Sequence, residues 1–121
     1  MKTVMILEDE KNIMEALEIL LAYDNYQVIC CPNVKDFYAQ SKILIPDVYL
    51  LDVMLPDGSG VDVCNYIKKT NNMAKIPVIM MSAHANAIEL DQSCKPEAFI
   101  TKPFDLDDVL NTLASCTAKA G

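Results

Sequence analysis

The chain has no arginine and no tryptophan, and only one histidine and three glycines among 121 residues. Phosphate backbones are held by Lys and Arg. The missing arginine and a formal net charge of −7 therefore argue against direct nucleic-acid binding. One histidine, and five cysteines without a C-x-x-C spacing, argue against a structural zinc site. Cys30, Cys31, Cys64, Cys94 and Cys116 are expected as reduced thiols that pack as small hydrophobes. Adjacent Cys30 and Cys31 make a poor disulfide in a cytosolic chain. No apolar run approaches the ~20 residues of a membrane span. The short run after Lys2 is too brief for a secretory signal. No linker composition, repeat or low-complexity stretch divides the sequence. The expectation is one soluble cytoplasmic domain over residues 1–121, large enough to bury roughly two-thirds of its unfolded surface.

What the chain does have is short apolar runs that end in chemistry. Val48-Tyr49-Leu50-Leu51 is bounded by turn signals and reads as a fully buried strand, closed by Asp52. Met54-Leu55-Pro56-Asp57-Gly58-Ser59-Gly60 follows as a loop. The strand Thr3 to Leu7 ends in Glu8-Asp9-Glu10, Val78 to Met81 ends in Ser82, and Phe99 to Thr101 ends in Lys102-Pro103. Tyr26 to Cys30 completes a set of five predicted strands.

Helices alternate with these runs. Ile13, Leu17, Leu20 and Leu21 recur at helical spacing over 11–23. Asn33 is placed to cap a helix that carries Phe37 and Tyr38 and ends before Pro46. Val61, Cys64 and Ile67 mark a helix near 60–69, and a short helix is expected near 86–93. Asp105 caps a last helix with Leu106, Val109, Leu110 and Leu113 at i, i+3, i+4 and i+7. The predicted fold class is α/β: a flavodoxin-like (βα)5 doubly wound parallel sheet, strand order 2-1-3-4-5. Its switch point lies between the first and third strands, so Glu8-Asp9 and Asp52 become neighbours at the carboxyl edge.

Crowded carboxylates repel unless a cation offsets them. Mg2+ takes oxygen ligands from one or two carboxylates, waters and phosphate. An ionised aspartate is a covalent phosphoryl carrier, a lysine can neutralise a phosphoryl oxygen, and a serine can donate to one. Taken singly, the acids are a solvated loop, Asp52 a turn residue, Ser82 a cap, and Lys102 a solvated turn lysine. All four at successive strand ends point to phosphoryl chemistry.

Over nearly its whole length the chain resembles the receiver domain of two-component response regulators. Glu8-Asp9, Asp52 with Met54-Leu55-Pro56 and Gly60, Ser82-Ala83 and Lys102-Pro103-Phe104 carry the likeness. The resemblance implies that Asp52 takes a phosphoryl group from a sensor histidine kinase or phosphotransfer protein. It implies Mg2+ held by Asp9, Asp52 and the Met54 carbonyl, with Glu8 acting through water. Lys102 would pair with phosphoryl oxygens, and its bond to Pro103 would be cis. Ser82 and Phe99 would be the switch. The small Ala83 would leave phosphoryl access, while Met54 and His84 would tune dephosphorylation. The fourth helix, fifth strand and fifth helix would signal to an output partner or fused effector domain. The chain would be no enzyme beyond its own Mg2+-dependent phosphorylation and dephosphorylation, and would touch neither nucleic acid nor membrane.

The sequence departs from the family in places. Lys95-Pro96-Glu97-Ala98 replaces a common Gly-Ala pair, and the stretch from Ser82 to Lys102 is slightly short, so the fourth helix is expected to be truncated or irregular. Without arginine, the salt-bridged dimer of receivers fused to winged-helix domains is unsupported. Two alternatives stay open: a pseudo-receiver that binds partners without phosphorylation, and an aspartate-nucleophile hydrolase of the haloacid dehalogenase type. The latter wants a second Asp where this chain has Met54.

Overall fold

The computed structural model describes residues 1–83 and 94–120, and the side chains of that set except those of 119 and 120. Its elements are β1 (Thr3–Leu7), α1 (Lys11–Tyr23), β2 (Gln27–Cys31), α2 (Val34–Ser41), β3 (Val48–Asp52), β4 (Met54–Leu55), β5 (Gly58–Ser59), α3 (Gly60–Lys69), β6 (Val78–Ser82), β7 (Ala98–Thr101) and α4 (Leu106–Ala120). The main sheet runs β2-β1-β3-β6-β7, and every pair in it is parallel. Counting its strands in chain order gives 2-1-3-4-5, the expected topology. The helix expected near 86–93 lies outside the described residues. No helix among them is long and apolar enough to cross a membrane.

β1, β3 and β6 are apolar because helices cover both faces of the sheet, as parallel sheets require. Alternation then sorts their side chains. Met5, Leu7, Tyr49, Leu51, Val78 and Met80 face Phe37 of α2 and Val63, Cys64 and Ile67 of α3. Val4, Ile6, Val48, Leu50, Ile79 and Met81 face Met14, Leu17 and Leu21 of α1 and Val109 and Leu113 of α4. Each large aliphatic side chain so buried contributes roughly 1.5–3 kcal/mol before entropy is charged against it.

Local chemistry ends the elements. α1 stops in a Schellman arrangement: Asn25 takes φ 67°, its N–H donates to the Ala22 carbonyl, and the Tyr26 N–H donates to Leu21. That turn lets β2 begin at Gln27, one residue later than apolarity suggests, since Thr3 pairs with Gln27 and Leu7 with Cys31. Asn33 caps α2 as expected, its Oδ1 accepting the Asp36 N–H at 2.8 Å. Asp105 accepts the Asp107 N–H at 3.2 Å at the start of α4. The loop after β3 holds a small antiparallel hairpin, Met54 opposite Ser59.

One expectation fails in the core. Cys64 of α3 and Cys94 are joined as a disulfide, with Cα atoms 6.0 Å apart. The fold brings α3 and the segment before β7 within bridging distance, and a separation of 30 residues conceals this in the sequence. Cys30, Cys31 and Cys116 are free thiols.

Candidate functional site

Register builds the site. Val4 pairs with Val48 and Leu7 with Leu51, so Glu8 and Asp52 leave the sheet side by side. Asp52 pairs with Met81, and Ser82 with Thr101, which sets Lys102 at the end of the next strand. The Lys102 N–H donates to the Ser82 carbonyl at 2.8 Å. Four strand ends thus converge on one edge.

Lys102 ties that edge together. Its Nζ lies 2.5 Å from Glu8 Oε1 and 3.0 Å from Asp52 Oδ2. The Glu8 side chain is fully buried, while those of Asp52 and Lys102 are 10% and 13% exposed. Burial raises the Glu8 pKa, and nearby Asp52 adds to the rise; hydrogen bonds from Lys102 and the Glu10 N–H offset it only in part. Burial pulls the Lys102 ammonium down, but its hydrogen bonds to Glu8 and Asp52 outweigh that and leave its pKa above the ordinary lysine value. The Lys102–Pro103 peptide bond is cis.

One carboxylate oxygen from each of Glu8, Asp9 and Asp52 lies within 4.8 Å of the others. Three hard oxygen donors of this kind suit Mg2+ better than zinc or copper. Their availability differs. Both Glu8 oxygens are engaged, Oε1 by Lys102 and Oε2 by the Glu10 N–H at 3.1 Å. Asp9 is exposed. Among the described residues, Asp52 Oδ1 has only a long contact, 3.4 Å, from the Met54 N–H. Among the described residues, the free donors are therefore on Asp9 and Asp52.

These acids border an open cavity of about 450 Å³ lined by Asp9, Glu10, Ile13, Asp52, Met54, Ser82, Ala83, Lys102 and Pro103. That space admits a hydrated ion and a phosphoryl group. Ser82 is buried and Ala83 exposed. Met54 is 64% exposed at the lip. Phe99 stands apart, half-buried against the α2/α3 cluster. His84 lies outside the described residues. Three contacts were not foreseen: the Glu8–Lys102 pair, the packing of Gly60 on Asp52, and Asp57, whose carboxylate accepts the Val34 and Lys35 N–H groups at 2.8 and 3.1 Å. A Cβ on Gly60 would run into the Asp52 carbonyl oxygen. The only signal for that contact was a glycine at the start of a helix.

The family model for the response regulator receiver domain matches residues 4–114. The chain belongs to that family. It is thus the receiver domain of a response regulator in two-component signalling. The transcriptional regulatory protein CseB of Streptomyces coelicolor is 36% identical over 104 residues, which cover 84% of this chain and 43% of CseB. The chain therefore spans less than half the length of that relative. The chemotaxis response regulator CheY4 of Vibrio cholerae has the same fold, with a TM-score of 0.88 at 20% identity over 96% of this chain and 98% of that one. So does response regulator TrrA of Thermotoga maritima, solved in complex with Mg2+-BeF, with a TM-score of 0.86 at 22% identity over 96% and 99% of the two chains.

Proposed function

We propose that this receiver domain stores a signal as a phosphoryl group on Asp52, received from a sensor histidine kinase or phosphotransfer protein. The observation that carries this reading is Lys102 bridging Glu8 and Asp52 beside the free Asp9 carboxylate, at the mouth of a strand-edge cavity. Asp9, Asp52 and the Met54 carbonyl would hold Mg2+, with Glu8 reaching it through water. When bound, the ion neutralises charge on the carboxylates and on the incoming phosphoryl oxygens.

An ionised Asp52 oxygen attacks the donor phosphorus. The bond from phosphorus to the donor nitrogen breaks, the imidazole keeps that electron pair, and Asp52 becomes an acyl phosphate. Lys102 exchanges its Asp52 contact for a phosphoryl oxygen and keeps Glu8. The Ser82 hydroxyl donates to the phosphoryl group, and Phe99 turns with it. The change is a shift between two existing arrangements, so the phosphoryl group must favour one of them. Ala83 leaves the approach open, and Met54 and His84 set how readily water reaches the acyl phosphate. β7 and α4 then signal to an output partner or fused effector domain. The domain works in the cytoplasm and turns over nothing but its own phosphoryl group.

Intact-protein mass after incubation with acetyl phosphate tests this. Wild type with Mg2+ gains one phosphoryl group; Asp52→Asn, and wild type in chelator, gain none. An adduct on Asp52→Asn would move the acceptor elsewhere. No adduct on wild type from any donor would leave a binding module.

A further inference from the structure

Cys64 and Cys94 occupy a mechanically significant place. Cys64 lies in α3, whose first residue, Gly60, packs on the Asp52 backbone. Cys94 comes five positions before Phe99, on the segment that leads through β7 to Lys102. The bond between them joins the element behind the acceptor to the element that carries the switch aromatic and the lysine. Both sulfurs sit in the α2/α3 cluster, Cys64 fully buried and Cys94 7% exposed.

A second tie runs parallel to the first. Lys68 lies one helical turn beyond Cys64, on the same face of α3. Its Nζ contacts both Glu97 oxygens, at 2.6 and 2.7 Å. Glu97 Oε1 also accepts the Val78 N–H at 2.7 Å. This pair needs no disulfide. It holds α3 against the residues before β7 when the thiols are reduced, and so keeps the two sulfurs near one another.

We propose that Cys64 and Cys94 are a reversible dithiol–disulfide couple whose oxidised form locks α3 to the approach to β7 and restrains the receiver switch. The functional half of the proposal rests on Asp52 being the acceptor. The oxidant is a small-molecule disulfide of the glutathione class. The Cys94 thiolate, the less buried of the two, attacks one of its sulfurs and displaces a first thiolate. The Cys64 thiolate then attacks Cys94 Sγ in the mixed disulfide and displaces a second. The two protons lost by the cysteines end on the two released thiols, and the two electrons with them.

The test equilibrates full-length protein across ratios of oxidised to reduced glutathione, then traps free thiols with a maleimide under denaturing conditions. Wild type passes to a form lighter by two hydrogen atoms and blocked at Cys64 and Cys94, and a reductant reverses it. Cys64→Ala, checked for native circular dichroism, does not form it. Oxidised wild type exchanges amide hydrogens of Ala98–Thr101 more slowly. It also takes a phosphoryl group from acetyl phosphate roughly 5-fold more slowly, the low end of ordinary coupling between sites. Failure to form the bond at any ratio, or equal exchange in the two forms, overturns the proposal; equal labelling rates overturn its link to signalling. If neither form takes a phosphoryl group, the acceptor assignment fails, while trapping and exchange still decide whether the couple exists.

Discussion

Replacing Lys102 with methionine keeps the aliphatic stem and removes the charge that neutralises Glu8 and Asp52. At 2.5 and 3.0 Å, with an effective dielectric near 20, each attraction is worth roughly 5–7 kcal/mol before desolvation. Desolvation cancels much of that. Removing one partner of a buried pair still costs about 3–5 kcal/mol, because the remaining charge is left uncompensated. Lys102 and Asp52 retain some exposure, so Lys102→Met should lose about 3 kcal/mol near neutral pH, a midpoint lower by roughly 1–2 M urea. The loss depends on pH with a defined sign. The Glu8 pKa in the fold lies above its ordinary value of 4.5. A raised carboxylate contributes stability that is complete below the unfolded value and is lost as pH rises through the folded one. Without Lys102 the folded value climbs further, so that loss extends to higher pH in the variant. The deficit against wild type should therefore be largest near neutrality and shrink as pH falls toward 4.5. Urea titrations in chelator at both ends of that range measure it. Equal deficits at both ends, or no deficit near neutrality, would refute the account of Glu8 and Lys102.

Gly60→Ala opposes two effects. Alanine favours a helix by about 1 kcal/mol over glycine, but its Cβ would press on the Asp52 and Val53 backbone. Overpacking of this kind costs about 1–3 kcal/mol, so a lower urea midpoint and slower labelling of Asp52 are expected, and a stabilised variant would exclude the contact. Asp9→Asn changes an exposed residue and should alter metal-free stability by less than about 0.5 kcal/mol. It should abolish the Mg2+-dependent gain, which for wild type reaches about 2.7 kcal/mol at a hundredfold excess over Kd; an undiminished gain in thermal denaturation would remove Asp9 from the site. The fully buried Tyr49 hydroxyl has no hydrogen-bond partner among the described residues, so Tyr49→Phe should raise stability by about 1 kcal/mol, read as a higher urea midpoint, and a lower midpoint would reveal a missing partner.

The readability of the sequence followed burial. Val48 to Leu51 and Thr3 to Leu7 are covered on both faces, which leaves near-continuous apolar runs. α1 and the last helix show one apolar stripe each, and began where the pattern placed them. The parallel order then made Glu8 a neighbour of Asp52, so the clustering of the acids at the candidate site was legible in the sequence. Features fixed by pairing between distant segments were not. β2 starts at Gln27 and not Tyr26 because β1 sets its register. Asp57 reads as a plain turn aspartate, yet it receives two N–H groups of α2. Cys64 and Cys94 look like two more apolar positions until α3 and the approach to β7 are set side by side.

The central sheet is also a partition. Among the described residues, the α2/α3 cluster and the α1/α4 cluster share no buried side chain. Repacking one chamber should leave the other's energetics nearly untouched, since distant substitutions without common partners add. The carboxyl rim is the exception: α3 rests on the backbone of Asp52 from one side of the partition, while strands feeding both chambers end there. A lineage of such domains can thus remodel one outer surface for a new listener without retuning the opposite one, provided the rim they share is left alone.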